Sequence, residues 1–392
     1  MHRTDAPGFA PGNLFTEGDP QLGVPFSHVS DDWLNDVQEN LCQFIESEGI
    51  ALVKGNHAQL LDAIRRAYGK GGLRNRLLNG AFEINQRADS YTGNNATAVY
   101  TLDRWRFAPG ASNSNTWIVD RTGADSADFA TGARTTWSLK VDLGAAGLNG
   151  SVDPILSQRI ESILTFAGGK ATLSFTASKQ SGAGTAPTIT PKLVQHTGSS
   201  GAGVVSTTTG AVIAVTDTPT RYVVTFDVPA VAQQTIGVDS YLELQLVVNK
   251  AATRDLFLRA IQLEVGGFAT AFEERPEQVE RLLCQRFYET SYPKGVGAGE
   301  AGTEGMAATF TKGFFSYGLN TRFRVEKRAV PTVRWYSPND GAADTIVWGG
   351  AAGSNIAATP EGESTSASGW PGHTNQTTAD HSWGHWTADA EL

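Results

Sequence analysis

The chain has 392 residues, a formal net charge of −9 at pH 7, 40% hydrophobic residues and 18% charged ones. That composition supports packed cores and argues against a disordered chain, and the length suggests two or three domains. The acidic balance, with no basic run, excludes nucleic acid as the main partner, because phosphate binding needs clustered Lys and Arg. No stretch approaches the ~18 apolar residues that span a bilayer, so no membrane insertion is expected.

Residues 1–29 are rich in Pro and Gly and lack periodicity; they are expected to be extended and to order against a partner. The opening "MHRTDAPGFAPGNLF" has no apolar core and does not read as a signal peptide. "SDDWLNDVQENLCQFIESEG" then places Trp33, Leu34, Val37, Leu41, Phe44 and Ile45 on one helical stripe, with Ser30 as N-cap and Gly49 as the stop. "NHAQLLDAIRRAYGKGG" gives a second short helix, with an Asn56–Gln59 capping box and Leu60, Leu61, Ile64 and Tyr68 on its stripe. Two such helices bury too little surface to stand alone. Their stripes, with Trp33, Leu34, Val37, Leu41, Ile45, Leu61 and Ile64 as the candidate attachment residues, are expected to dock on another copy of the chain or another protein.

"GKGG" (69–72) reads as a hinge, after which the helical period fades. "KATLSFTAS" (170–178), "RYVVTFDV" (221–228), "YLELQLVV" (241–248) and "DLFLRAIQLEV" (255–265) alternate apolar and polar residues as half-buried strands do. Gly/Ser/Thr stretches between them read as turns, so an antiparallel sandwich is expected. Trp105, Trp117 and Trp137 are expected in its core. "RPEQVERLLCQRFYE" (275–289) reads as one helix and "GVGAGEAGTEG" (295–305) as a long loop. A second β segment follows to the end of the chain. Cys42 and Cys284 each fall in a helix, far apart in sequence, and imply no disulfide.

"NRLLNGAFEINQR" (75–87), "YTLDRW" (100–105), "IQLEVGGFATAFEERP" (261–276), "LLCQRFYE" (282–289), "RFRVEKRAVPTVRWYSP" (322–338) and "TADAEL" (387–392) occur in this order. Together they resemble tail-fibre and receptor-binding proteins of bacteriophages, prophages and phage-tail-like bacteriocins. The opening "GNLFTEGDPQLGVPFSHVSDDWLNDVQENL" (12–41) is similar to the tail-attached N-terminus of such fibres. The resemblance implies a mainly β homotrimer in three parts. Residues 1–72 would be a small α-helical anchor on the tail or baseplate, 73–290 a jelly-roll sandwich like those of carbohydrate-binding proteins, and 291–392 a distal β domain facing the host. It also implies synthesis in the bacterial cytoplasm, assembly into the virion tail, and adsorption to a surface polysaccharide or lipopolysaccharide. It brings no catalytic residues.

Enzymatic chemistry is not expected from the residues either. No spacing singles out the carboxylate pair that glycoside hydrolysis needs, no GxSxG elbow is present, and the Gly-rich runs lack a strand–loop–helix context. A glycan-degrading tailspike and a free carbohydrate-binding module are the alternatives. The terminal run "WPGHTNQTTADHSWGHW" holds flat rings beside hydrogen-bonding groups, the combination that grips sugars. Trp370, His373, Asn375, Asp380, His381, Trp383, His385 and Trp386 are therefore the candidate receptor-binding residues, against the alternative that the tryptophans fill a core. In a strand, His381 and His385 would share a face but stand ~13 Å apart; within one chain a turn at Gly384 would be needed to bring them to one metal, and in a trimer one His from each copy would meet on the axis. No cofactor or metal is expected.

Overall fold

The computed structural model describes residues 16–23, 26–27, 29–68, 73–123, 135–199, 201–310, 320–348, 354–357, 359–360, 366–373 and 381–392. The chain divides into two compact units, Met1–Gly72 and Leu73–Leu392. The boundary falls at the "GKGG" run, whose residues lie outside those described.

In the first unit, helices α1 (Asp31–Ser47) and α2 (Gln59–Tyr68) pack on each other. Ser30 caps α1 by accepting from the Trp33 amide at 3.3 Å, and Asp31 and Asp32 face the positive end of the helix dipole. The capping box expected at Asn56–Gln59 is not formed. Asn56 accepts from the Ala58 amide at 3.0 Å. Gln59 instead turns back to the linker, accepting from the Val53 amide at 3.1 Å and donating to the Ala51 carbonyl at 2.6 Å.

The second unit is almost entirely β. Its first part holds β1 (Ser90–Gly93), β2 (Val99–Tyr100), β3 (Arg106–Ala108), β4 (Trp117–Gly123), β5 (Trp137–Asp142), β6 (Ile155–Glu161), β7 (Lys170–Lys179), β8 (Thr188–His196), β9 (Val204–Thr209), β10 (Ile213–Ala214), β11 (Thr220–Asp227), β12 (Tyr241–Val248) and β13 (Leu256–Val265). They form two antiparallel sheets. The first runs β1-β4-β5-β13-β7-β11 and the second β10-β8-β12-β6-β3-β2, with β9 also on β8. Because side chains alternate across a strand, one face of each sheet turns inward. Leu139, Leu173, Phe175 and Leu258 meet Phe107, Leu156, Leu193 and Leu244 in a single buried core. Trp105 and Trp117 are buried as expected, and Trp137 is half-buried against that core.

The stretches that carry the family resemblance form a buried polar clamp beside this core. Asn79 donates to the carbonyls of Ile84 and Asp103 at 2.8 and 3.1 Å, accepts from the Ile84 amide at 2.9 Å, and its own carbonyl receives the Trp105 indole N–H at 2.9 Å. Gln86 donates to Asp103 at 2.6 Å, and Arg275 reaches Glu273 and Glu280 at 3.2 and 3.1 Å. Buried polar groups demand such partners, so these motifs secure the architecture. At Gly80 the backbone lies so close to the Ile261 carbonyl that a Cβ has no room.

The helix expected over 275–289 is shorter. α3 spans Glu277–Gln285, and residues Tyr288–Thr290 become β14. Pairing with the last strand outweighs local helix propensity there. The remaining strands are β15 (Ala307–Phe310), β16 (Asn320–Arg322), β17 (Thr332–Tyr336), β18 (Thr345–Trp348), β19 (Ser354–Ala357), β20 (Thr359–Pro360), β21 (Gly369–His373) and β22 (His381–Asp389). β22 is the hub of the distal sheet and pairs with β14, β15, β17 and β18. Phe323, Val333, Trp335, Ile346, Trp386 and Ala388 make its small core. Gly384 lies in the middle of β22 with no room for a Cβ beside Ile346 and Trp335. It is not a turn, so the backbones of His381 and His385 stay four strand residues apart.

Candidate functional site

The polar side of the second sheet gathers a set of convergent side chains. Its inner face is aliphatic, with Leu242, Leu244 and Leu246 of β12 buried. The alternate residues Tyr241, Glu243 and Gln245 therefore point outward. Strand register places their neighbours. Tyr100, Arg106, Ser157, Gln245, Lys192 and Thr209 form one row across β2, β3, β6, β12, β8 and β9. Arg159, Glu243, Val194 and Thr207 form the next row, and Glu161, Tyr241 and His196 a third.

These side chains hold one another in place. The Tyr241 and His196 rings stack with centroids 4.6 Å apart and planes 6° from parallel, and the Arg159 guanidinium lies 4.5 Å from the Tyr241 ring centre. Arg159 also meets Glu243 at 3.5 Å, and Gln245 donates to the other Glu243 oxygen at 2.8 Å. His196 Nδ1 accepts from the Gly198 amide at 3.0 Å, so a neutral ring carries its proton on Nε2. At the edge of the face Arg286 grips Glu161 with two bonds of 3.0 Å. Tyr100 donates to the Leu392 carbonyl at 3.0 Å, and burial pushes its phenol up to about 12. Burial likewise raises the Tyr241 phenol. The Ser157 hydroxyl, in the middle of the first row, is buried with no hydrogen-bond partner. Flat rings, a fixed guanidinium, an amide and a carboxylate on rigid strands can bind a polyhydroxylated ligand.

The residues singled out in the terminal run are dispersed. Asn375 and Asp380 lie outside the described residues. Trp370 and His373 are placed only by their backbones in β21, and His381 by its backbone at the start of β22. Trp383 is half-buried. His385 and Trp386 correct the expectation, because only 1% and 6% of their surfaces are exposed. His385 stacks on Tyr292 with centroids 4.0 Å apart, donates from Nε2 to the Gly302 carbonyl at 2.9 Å and accepts from the Ser291 hydroxyl at 3.1 Å. Its hydrogen bonds are used within the sheet, and burial lowers its pKa. The end of the chain turns back to the sandwich, where Glu391 pairs with Arg87 and Arg104.

In the helical unit, Leu34, Leu41, Leu61 and Ile64 are exposed, Leu34 by 52% and Leu61 by 49%, while Trp33 and Val37 are half-buried. Ile45 is buried and unavailable for attachment. Sequence reasoning missed Leu52 and Val53, which are exposed between the helices. It also missed the polar sheet face, because its members come from six strands. The alternation in "YLELQLVV" was the only local sign.

No protein-family model matches the chain. A stretch of 71 residues is 44% identical to "Uncharacterized protein StfP" of Escherichia coli (strain K12), covering 17% of this chain and 34% of that protein. The chain thus spans about a third of the length of that curated relative. Among solved structures, the module TmCBM61 in complex with beta-1,4-galactotriose aligns over 49% of this chain and 99% of its own, at 13% identity and a TM-score of 0.31. The enzymatically active domain of bacteriophage CBA120 tailspike protein 4 aligns over 49% of this chain and 22% of its own, at 13% identity and a TM-score of 0.31. The CBM22-1 xylan-binding domain from Paenibacillus barcinonensis Xyn10C aligns over 47% and 99%, at 15% identity and a TM-score of 0.27. Scores this low carry no functional weight, and the site rests on its own side chains.

Proposed function

We propose that this chain is a tail-fibre-type binding protein that recognises a bacterial surface glycan through the polar face of its second sheet. The observation that carries this reading is the row Tyr100–Arg106–Ser157–Gln245–Lys192 beside the Arg159–Tyr241–His196 stack. Arg106, Arg159, Lys192 and Arg286 outnumber Glu243 and Glu161 on this face, which favours a glycan bearing acidic groups. The exposed apolar side chains of α1 and α2 support the other half of the reading. They would be covered by two further copies of the chain, in a homotrimer, and by a protein of the phage tail or baseplate. The protein would then be made in the bacterial host and act on the virion.

The test is binding of the purified chain to polysaccharide and lipopolysaccharide fractions from bacterial surfaces, followed by an assay for new reducing ends. Binding without release is the expected result. Release of reducing ends would replace recognition by degradation, and no binding to any acidic fraction would overturn the reading. Light scattering tests the assembly, and a clean monomer alone and with tail proteins would refute it.

A further inference from the structure

A cleft of about 450 Å³ opens between the 75–83 segment, the start of β5, residues 272–275 and the first turn of α3. It shares no residue with the polar sheet face. Its charge is unbalanced. Arg275 is taken by Glu273 and Glu280 at 3.2 and 3.1 Å. Glu277 is held by Arg281 and Lys294, both at 2.7 Å. Those contacts leave the carboxylates of Glu83 and Glu274 on the wall. Burial, and then the neighbouring Glu277 and Glu280, raise the Glu83 pKa despite Lys294, so its ionised form lacks compensation that a cation would supply.

Acidity alone would not define a ligand. A second feature does. Thr135 also lines the cleft, is 1% exposed, and its hydroxyl has no hydrogen-bond partner. A buried hydroxyl in this state costs stability unless something bonds to it. Trp137, half-buried next to it, supplies a flat apolar wall, with the Arg121 guanidinium 3.9 Å from its ring centre. Among the described residues no group of three or more His, Cys, Asp or Glu is gathered closely enough to hold a metal ion. The complement is organic: a positive charge for Glu83 and Glu274, a hydroxyl for Thr135, an apolar face for Trp137, and a body of one ring, which the volume accommodates.

We infer that this cleft is a second ligand site that takes a single amino-sugar residue with a free, protonated amine. The ammonium sits against Glu83 and Glu274, a ring hydroxyl bonds Thr135, and one sugar face lies on Trp137. The site is independent of the sheet face and stands or falls without it.

The test is saturation-transfer NMR and calorimetry on the full chain with four probes: glucosamine, N-acetylglucosamine, glucose and ethanolamine. Glucosamine is expected to bind more tightly than the other three. Glu83→Gln and Thr135→Val are each expected to weaken glucosamine binding on the order of tenfold to a hundredfold, as loss of a hydrogen bond to a charged group or of a buried polar partner does. Both variants are checked for an unchanged circular-dichroism spectrum. Trp137→Phe keeps a ring and is expected to retain binding, which serves if either of the others misfolds. Equal binding of glucosamine and N-acetylglucosamine, ethanolamine binding as tightly as glucosamine, or no binding of glucosamine would each overturn the inference. Polysaccharide binding by the sheet face is scored separately, with the Glu83→Gln protein expected to keep it.

Discussion

Arg87 and Glu391 stand 304 residues apart in the chain and 3.3 Å apart in space. Glu391 also accepts from Arg104, whose guanidinium lies 3.5 Å from the Phe287 ring centre. Arg87 in turn lies 3.7 Å from the Tyr288 ring centre. Ala390 and the Glu391 side chain are thereby buried, and the distal sheet is anchored to the sandwich. Removing one partner of a buried ion pair leaves the other desolvated and alone, at a cost of about 3–5 kcal/mol. Glu391→Gln leaves Arg104 without its carboxylate partner, while Arg87 keeps Asp389 at 3.1 Å, and is expected to lose that much in urea unfolding. Residues 73–392 of the unchanged protein are expected to unfold in one transition, and two resolved transitions would mark the boundary expected near residue 290.

The polar sheet face makes its own prediction. Tyr241→Ala, Arg159→Ala and Gln245→Ala are each expected to lower affinity for the adsorbed glycan by about 1–2 kcal/mol, with larger losses where the side chain is a hot spot. Arg159 also packs on Tyr241 and Glu243, so its loss and that of Tyr241 are expected to be non-additive in a double-mutant cycle. Normal glycan binding by all three folded variants would remove this face from the function.

Attachment is tested on the other unit. Leu34→Asp and Leu61→Asp change side chains that are about half exposed, so the fold is expected to shift by no more than about 0.5 kcal/mol. Assembly is expected to fail, because a carboxylate cannot enter an apolar interface unpaired. The measurements are light scattering for self-assembly and co-purification with tail proteins. Unchanged assembly in both variants would show that this stripe is not the docking surface.

Much of the fold is legible because it is written locally. The alternation of 170–178, 221–228, 241–248 and 255–265 matches β7, β11, β12 and β13 within a residue or so, and Ser30 is the cap its side chain suggests. What could not be read depends on partners distant in sequence. Tyr288–Thr290 continue a helical pattern, yet pair with Thr387–Asp389. Tyr241 and Arg159 become neighbours only through the register of β12 on β6. The polar density of the terminal run pointed to an exposed surface. For His385 the structure satisfies that polarity internally, with Ser291 and Gly302.

His385 should make the distal sheet sensitive to acid. Burial lowers its pKa below the usual imidazole value of 6.5. Between the folded pKa and 6.5 the unfolded chain holds the proton and the native chain does not. The stability it contributes is therefore complete above pH 6.5 and is lost as the pH falls through the folded pKa. Midpoints of urea unfolding measured from pH 7.5 to 5 are expected to decline, and to decline less in His385→Gln. The same slope in both proteins would assign the acid sensitivity to other groups.

Trp383 and Trp386 decide whether the terminal run has any recognition role. Trp386 faces Trp335 across the β17–β22 ladder and lies 5.8 Å from the Phe323 ring, within the distal core. Emptying that site is expected to cost about 3–5 kcal/mol, so adsorption lost in Trp386→Ala would report unfolding. Trp383 is half-buried, and its replacement by Ala is expected to cost far less, about 1 kcal/mol. That difference makes Trp383→Ala the informative variant. If its circular-dichroism spectrum is unchanged and it adsorbs to host cells normally, the receptor surface is the sandwich face and the aromatic run is packing. If a folded Trp383→Ala protein adsorbs at least tenfold less, the distal sheet touches the receptor as well, and Tyr241→Ala combined with Trp383→Ala should then abolish adsorption.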